Sequence, residues 1–302
     1  MNWELTLQQI TEGNIKTLAR TISLVENEYE GYEYLLQILP GTDSTKVIGI
    51  TGPPGAGKST LTDALIQVLV KKNKKVAVLC VDPSSPFNLG ALLGDRIRMS
   101  EWYNHPNVFI RSLATRGSLG GLHPKIIEIN DLVKAAGFDY IIVETVGVGQ
   151  SEIEIAGLAD VTVVVMVPEA GDEIQTMKAG LMEIADVFVV NKSDRPGADR
   201  FFYNLRLMLA PAFHTHKQAI EIIKTNALQK EGIAELNNAI DTLLNQLPVS
   251  DKKNWLLTEK AYYLIQQQRM KNINKKALNQ QISALIEKKQ FNLYKLVAGF
   301  NA

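Results

Sequence analysis

The sequence has 302 residues, 46% of them apolar, with 32 basic and 32 acidic side chains. A chain of this size buries a large core in one domain with appendages or in two domains, and its zero formal charge carries no global nucleic-acid signal. The single cysteine, Cys80, lies in the apolar run Val76-Ala77-Val78-Leu79-Cys80-Val81, which excludes an intramolecular disulfide framework and reads as a buried strand in a reducing compartment.

The start, Met1-Asn2-Trp3-Glu4, lacks the basic segment and apolar core of a signal peptide, and no apolar run approaches the length of a membrane span. A soluble cytoplasmic protein is expected, with neither membrane nor nucleic acid as partner. Residues 1–45 hold seven acidic and two basic side chains, and Ile15, Leu18, Ala19, Ile22, Leu24 and Val25 recur as one apolar helix face. This predicts a helical N-terminal extension over residues 1–41. Leu35, Leu36, Ile38 and Leu39 fit a second short helix, ended by the helix-breaking pair Pro40-Gly41.

From Lys46 onward, continuous apolar runs alternate with helical patterns, giving expected strands at 47–51, 76–81, 108–111, 140–143, 161–167, 187–190 and 220–224. Continuous rather than alternating apolarity means that both sheet faces are covered. The expected class is α/β: a mostly parallel central sheet with helices on both faces over residues 42–250, and ligand loops at the strand carboxyl ends. Residues 251–302 carry ten basic and three acidic side chains, a local charge of +7 against −5 for residues 1–45. Their apolar spacing predicts helices, whose basic face is either simply solvated or docks onto an acidic partner or a sister subunit.

The chemistry is concentrated at strand ends. Gly52-Pro53-Pro54-Gly55-Ala56-Gly57-Lys58-Ser59-Thr60 stands between the first strand and a helical pattern, which is the context of a phosphate-binding loop (P-loop). Its glycines let backbone N–H groups turn toward phosphate oxygens and the helix adds the positive end of its dipole; the alternative is a glycine-rich strand-to-helix turn that matches the motif by chance. Lys58 is placed to reach the β- and γ-phosphates and Ser59 to hold Mg²⁺. Asp82, at the second strand's end, and Asp95, in Gly94-Asp95-Arg96, are candidates for the magnesium shell, though either also fits a turn or helix cap.

The strand at 140–143 delivers Glu144, the acidic position beside the P-loop strand, followed by Gly147 and Gly149, which permit backbone approach to the γ-phosphate and a switch that changes on hydrolysis. Gln150 either orients the attacking water or caps the next helix. Asn191-Lys192-Ser193-Asp194 closes the strand at 187–190, where the Asp194 carboxylate can accept both N1–H and the exocyclic amine of guanine, a donor pair adenine lacks. Asn226 and Ala227, after the last strand, complete the expected base site. His105 and His123, each before a proline, read as loop residues, and His214 and His216 do not share a helix face, which argues against metal ligation there.

Taken together, these residues resemble the MeaB/ArgK group of P-loop GTPases. The resemblance rests on residues 52–60, Asp82-Pro83-Ser84-Ser85, Leu93-Gly94-Asp95-Arg96-Ile97-Arg98-Met99, Phe109-Ile110-Arg111-Ser112, Arg116-Gly117-Ser118-Leu119-Gly120-Gly121, residues 144–152 and residues 191–194, with the N-terminal stretch 17–26 in support. It implies the fold of the signal-recognition and metal-insertion (SIMIBI) GTPase class, homodimerisation through the C-terminal helices of residues 251–302, and slow Mg²⁺-dependent GTP hydrolysis. It further implies a chaperone role toward an adenosylcobalamin-dependent acyl-CoA mutase of the methylmalonyl-CoA mutase type, gating cofactor loading and protecting the mutase. Asp82, Asp95 and Glu144 take the family's magnesium and switch positions, and residues 167–178 a third switch with Lys178 as its charged contact. Pro86-Phe87-Asn88-Leu89-Gly90-Ala91-Leu92 departs from the family's double-glycine stretch. Three alternatives stand beside this reading: a nucleotide-dependent protein kinase of a transport system, the group's older description; a GTP-binding module without turnover; and a nickel-delivering GTPase, for which the sequence offers few ligands.

Overall fold

The computed structural model describes residues 1–41, 44–82, 99–115, 122–146, 151–170, 184–209, 220–246, 251–270 and 273–300. They divide into two compact units, Met1–Asn254 and Trp255–Ala302. No helix among the described residues is long and apolar enough to cross a membrane.

The first unit is built on seven strands: β1 (Lys46–Thr51), β2 (Val76–Asp82), β3 (Val108–Ala114), β4 (Tyr140–Glu144), β5 (Val161–Met166), β6 (Val187–Val190) and β7 (Glu221–Lys224). They form one sheet in the order β3-β2-β4-β1-β5-β6-β7. Every pairing is parallel, so the sheet is more uniform than the mostly parallel one expected. β2, β5 and β6 are buried at every residue, as strands covered on both faces must be.

The covering helices are α4 (Lys58–Lys71), α5 (Ile126–Ala135), α6 (Ser151–Leu158), α7 (Ala198–Leu209) and α8 (Ile233–Gln246). Helices α4 and α8 touch each other against the sheet, and α6 lies against β1 and β5. Contact there is close because β1 carries Gly49, where an added Cβ would stand 2.6 Å from Ile155 Cγ1 and 3.0 Å from Ala159 Cβ. Order along the sheet sends the chain from β1 toward β2 on one side and toward β5 on the other. The carboxyl end of β1 therefore sits at the topological reversal where open α/β sheets bind ligands.

Before β1 come α1 (Trp3–Thr11), α2 (Ile15–Glu26) and α3 (Tyr32–Gln37). The side chains of Asn2 and Asn14 cap α1 and α2 by accepting from Leu5 N and Thr17 N, each at 3.0 Å. Leu18, Ile22 and Val25 of α2 are fully buried, and α2 packs on α5. Polar contacts add to this seam: Arg111 of β3 pairs with Glu26 and donates to Ser23 Oγ at 2.8 Å. Lys125 donates to Tyr32 Oη at 3.0 Å and pairs with Glu28 at 2.8 Å. Burial opposes the Lys125 charge, but its bonds to Glu28 and Tyr32 outweigh that and hold the ammonium above its ordinary range. His123 lies in a loop, as expected, but is buried there, with its Nε2 3.8 Å from Glu26 Oε1.

The second unit holds most of α9 (Asp251–Met270), together with α10 (Lys275–Glu287) and α11 (Leu293–Ala298). None of its described side chains is buried, and Trp255, Tyr262, Ile265, Ile286, Leu293 and Tyr294 are exposed.

Since Gly49 sets the distance between β1 and α6, Gly49→Ala is expected to destabilise the first unit by about 1–3 kcal/mol through overpacking. Urea denaturation followed by tryptophan fluorescence measures it.

Candidate functional site

β1 ends at Thr51, and the chain turns at Gly52 with φ 140°, where a Cβ would lie 2.1 Å from the Val165 carbonyl oxygen. Only glycine fits so close to the neighbouring strand. The loop closes with Gly57 in the left-handed region at φ 87°, and α4 begins there without a side-chain cap. The helix thereby offers its dipole's positive end and its first backbone N–H groups to the loop, the arrangement that binds anions. Lys58, 7% exposed, lies along the loop and donates from Nζ to the carbonyls of Gly52 at 2.9 Å and Pro53 at 3.1 Å. The expected phosphate residues Gly52, Pro53, Gly55, Ala56, Gly57, Lys58, Ser59 and Thr60 thus fall on one strand-loop-helix unit.

Glu144 closes β4 beside β1, paired in register with Ile50. Its buried carboxylate accepts from Ser59 Oγ on Oε1 at 2.7 Å and from Thr62 Oγ1 on Oε2 at 3.0 Å. A further hydroxyl contact ties the carboxyl ends of β1 and β4, Thr145 Oγ1 donating to Thr51 Oγ1 at 2.9 Å. Asp82, also buried, ends β2, in which Cys80 is the residue in register with Glu144. Because Ser59 gives its proton to Glu144, its oxygen presents lone pairs to a cation. With Ser59, Asp82 and Glu144 the donor set is all oxygen and anionic, which fits Mg²⁺ and not a soft metal. Among the described residues no group of three His, Cys, Asp or Glu side chains forms a metal cluster.

The Asn191-Lys192-Ser193-Asp194 loop is strapped to the P-loop. Asn191 Nδ2 donates to the Ala56 carbonyl at 2.9 Å, and its Oδ1 accepts from Thr225 Oγ1 and Ala227 N, each at 3.1 Å. Lys192, left-handed at φ 57°, donates from Nζ to the Gly55 carbonyl at 2.8 Å. Asn226 and Ala227 are buried alongside, Asn226 N donating to the Glu231 carbonyl at 3.1 Å. Asp194 projects into solvent, and the next residue, Arg195, pairs with Glu169 and draws that carboxyl below its ordinary range.

Of the residues singled out in the sequence, Asp95, Gly147, Gln150 and Lys178 lie outside the described residues. The altered stretch 86–92 and the pair His214 and His216 lie outside them too. Two contributors were not anticipated. Thr62 stands one turn beyond Ser59 on the same helix face, and a polar residue at that spacing was the signal available. Thr225, adjacent to Asn226 in sequence, is the other, and its hydroxyl helps to fix Asn191.

The family model described as methylmalonyl Co-A mutase-associated GTPase MeaB matches residues 18–282. GTPase ArgK of Escherichia coli is 37% identical over 257 residues, covering 82% of this chain and 77% of that protein. A fused isobutyryl-CoA mutase of Geobacillus kaustophilus is 40% identical over 204 residues, which are 64% of this chain and 19% of the longer protein. The solved structure of a LAO/AO transport system kinase superposes with a TM-score of 0.68 at 27% identity, covering 99% of this chain and 96% of that chain.

The strap gives a direct expectation. Asn191→Ala removes the partner of three groups, Ala56 O, Thr225 Oγ1 and Ala227 N, and is expected to cost about 2–3 kcal/mol of stability and to weaken nucleotide binding. Chemical denaturation and calorimetry of the same preparation test both effects.

Proposed function

The chain belongs to the family of methylmalonyl-CoA mutase-associated GTPases, and we propose that it is a Mg²⁺-dependent GTP switch serving an adenosylcobalamin-dependent acyl-CoA mutase. Its low intrinsic hydrolysis rises on contact with the mutase, coupling GTP turnover to cofactor loading and mutase protection. The observation that carries the switch is the shared frame of the site: Ser59 is bonded to Glu144 on one side of the P-loop, and Asn191 is bonded to Ala56 on the other. A frame of this kind makes the phosphate end and the base end move as one unit. Support for the mutase as partner comes from the relative in which a matching segment is part of a fused isobutyryl-CoA mutase.

In this reading the P-loop N–H groups and Lys58 receive the β- and γ-phosphates, with Lys58 leaving the carbonyls of Gly52 and Pro53 for phosphate oxygens. Ser59, Asp82, Asp95 and Glu144 would hold Mg²⁺, which supplies positive charge to the phosphate oxygens when bound. Gln150 orients the water that attacks the γ-phosphorus as the bond to the bridging oxygen breaks, releasing phosphate and GDP. Gly147 reports the γ-phosphate and Lys178 carries the third switch. Asp194 accepts from guanine N1–H and its amine, beside Asn226 and Ala227. The mutase completes the catalytic set. The exposed apolar residues of α9–α11 support homodimerisation through the C-terminal unit.

A second reading, transfer of the phosphoryl group to a protein, is favoured by the likeness to a transport system kinase. Labelled GTP separates the two: label is expected in free phosphate, and label retained on protein would favour the kinase. In calorimetry, GTP and GDP are expected to bind at least about tenfold more tightly than ATP, since adenine lacks the N1–H and amine pair that the Asp194 carboxylate would accept. Asp194→Asn is expected to shift preference to xanthine nucleotides. Equal affinity for ATP, or no shift, contradicts the assignment of the base. The partner is tested by co-elution with an adenosylcobalamin-dependent acyl-CoA mutase in the presence of GTP.

A further inference from the structure

We infer that Thr62, which lies outside the P-loop pattern, is a positioning residue for the cation end of the site. The inference rests on the GTPase reading above and deepens it. Glu144 could in principle swing about its side-chain torsions, since its backbone is fixed but its carboxylate sits two methylenes away. Thr62 removes that freedom. The hydroxyl of Ser59 holds Oε1 at 2.7 Å, and the hydroxyl of Thr62, one helical turn later, holds Oε2 at 3.0 Å. Two donors three residues apart on α4 thus grip both oxygens of one carboxylate and set its plane.

Burial makes this grip count. Thr62 has no exposed surface and Glu144 is 4% exposed, so a carboxylate oxygen deprived of its hydroxyl there is not simply rehydrated from bulk solvent. Thr62 Oγ1 also lies 3.0 Å from the Lys58 carbonyl, so its single proton is shared between that carbonyl and Glu144 Oε2. An ionised carboxylate is the stronger acceptor and takes the larger share. The shared proton connects the backbone of Lys58 directly to Glu144. Thr62 therefore aligns three parts at once: the phosphate-facing lysine's peptide, the cation-facing serine through the common carboxylate, and the carboxylate itself.

The test compares wild type, Thr62→Val and Thr62→Ser as full chains, measuring GDP affinity by calorimetry with and without Mg²⁺. Thr62→Val keeps the shape and deletes the donor, whereas Thr62→Ser restores it. Without Mg²⁺ the three are expected to bind GDP within about twofold of one another, while the Mg²⁺-dependent gain falls about tenfold in Thr62→Val and returns in Thr62→Ser, the scale seen when partners behind a metal ligand are removed. A nucleotide-free control uses thermal unfolding of Thr62→Val, Glu144→Gln and the double variant, whose effects are expected to be non-additive. Thr62→Val with a wild-type response to Mg²⁺, a serine variant as impaired as the valine, or additive unfolding effects would each overturn the positioning role. Failure of wild type to bind GDP or GTP overturns the GTPase reading itself and the inference with it, and so is distinguished from a failure confined to the variants.

Discussion

The contact on which the rest of the site depends is the hydrogen bond from Ser59 to the buried Glu144 carboxylate. It joins the first turn of α4 to the end of β4, elements 85 positions apart in sequence. For the bond to form, β4 must lie beside β1, both strands must end at the same level, and α4 must descend across them. The parallel register provides the first two conditions, with Ile50 opposite Glu144. Gly52 and Gly57 provide the third, by letting the chain reverse between Val165 on one side and Asn191 on the other. An acid buried in this way stabilises only when its oxygens are bonded, so the site is demanding in geometry and correspondingly specific.

A second constraint follows from the loop's own chemistry. A P-loop that turns its N–H groups toward phosphate turns carbonyls elsewhere, and those carbonyls need donors. Lys58, Asn191 and Lys192 supply them at Gly52, Pro53, Ala56 and Gly55. Two of the three donors, Asn191 and Lys192, belong to the loop proposed to read the base. The residues proposed to bind guanine therefore also support the P-loop, and Asp194 is left projecting from a strapped segment.

Much of this was legible in the sequence. All seven strands fall at the expected positions, most plainly β2, β5 and β6, because a strand covered on both faces has no polar side to blur the pattern. Glu144 and the P-loop were identifiable because turn chemistry and residue spacing are local. The rest depends on long-range pairing, which periodicity does not carry. Neither the pairing of Arg111 with Glu26 nor the burial of His123 near Glu26 has a local signature, and His123 reads as an ordinary loop residue before proline. Thr62 is the instructive case. Its helix position was plain, but its meaning required knowing that Glu144 would arrive from a different strand at the height of the second turn.

These constraints converge on one hydrogen-bonded frame for the proposed phosphate, cation and base ends, which is what a nucleotide switch needs if a partner is to read its state. Phosphate release from GTP, measured with the protein alone and after titration with an adenosylcobalamin-dependent acyl-CoA mutase, tests this most directly. The account predicts slow release alone and a saturable acceleration by the mutase. Release that no such mutase alters would contradict it.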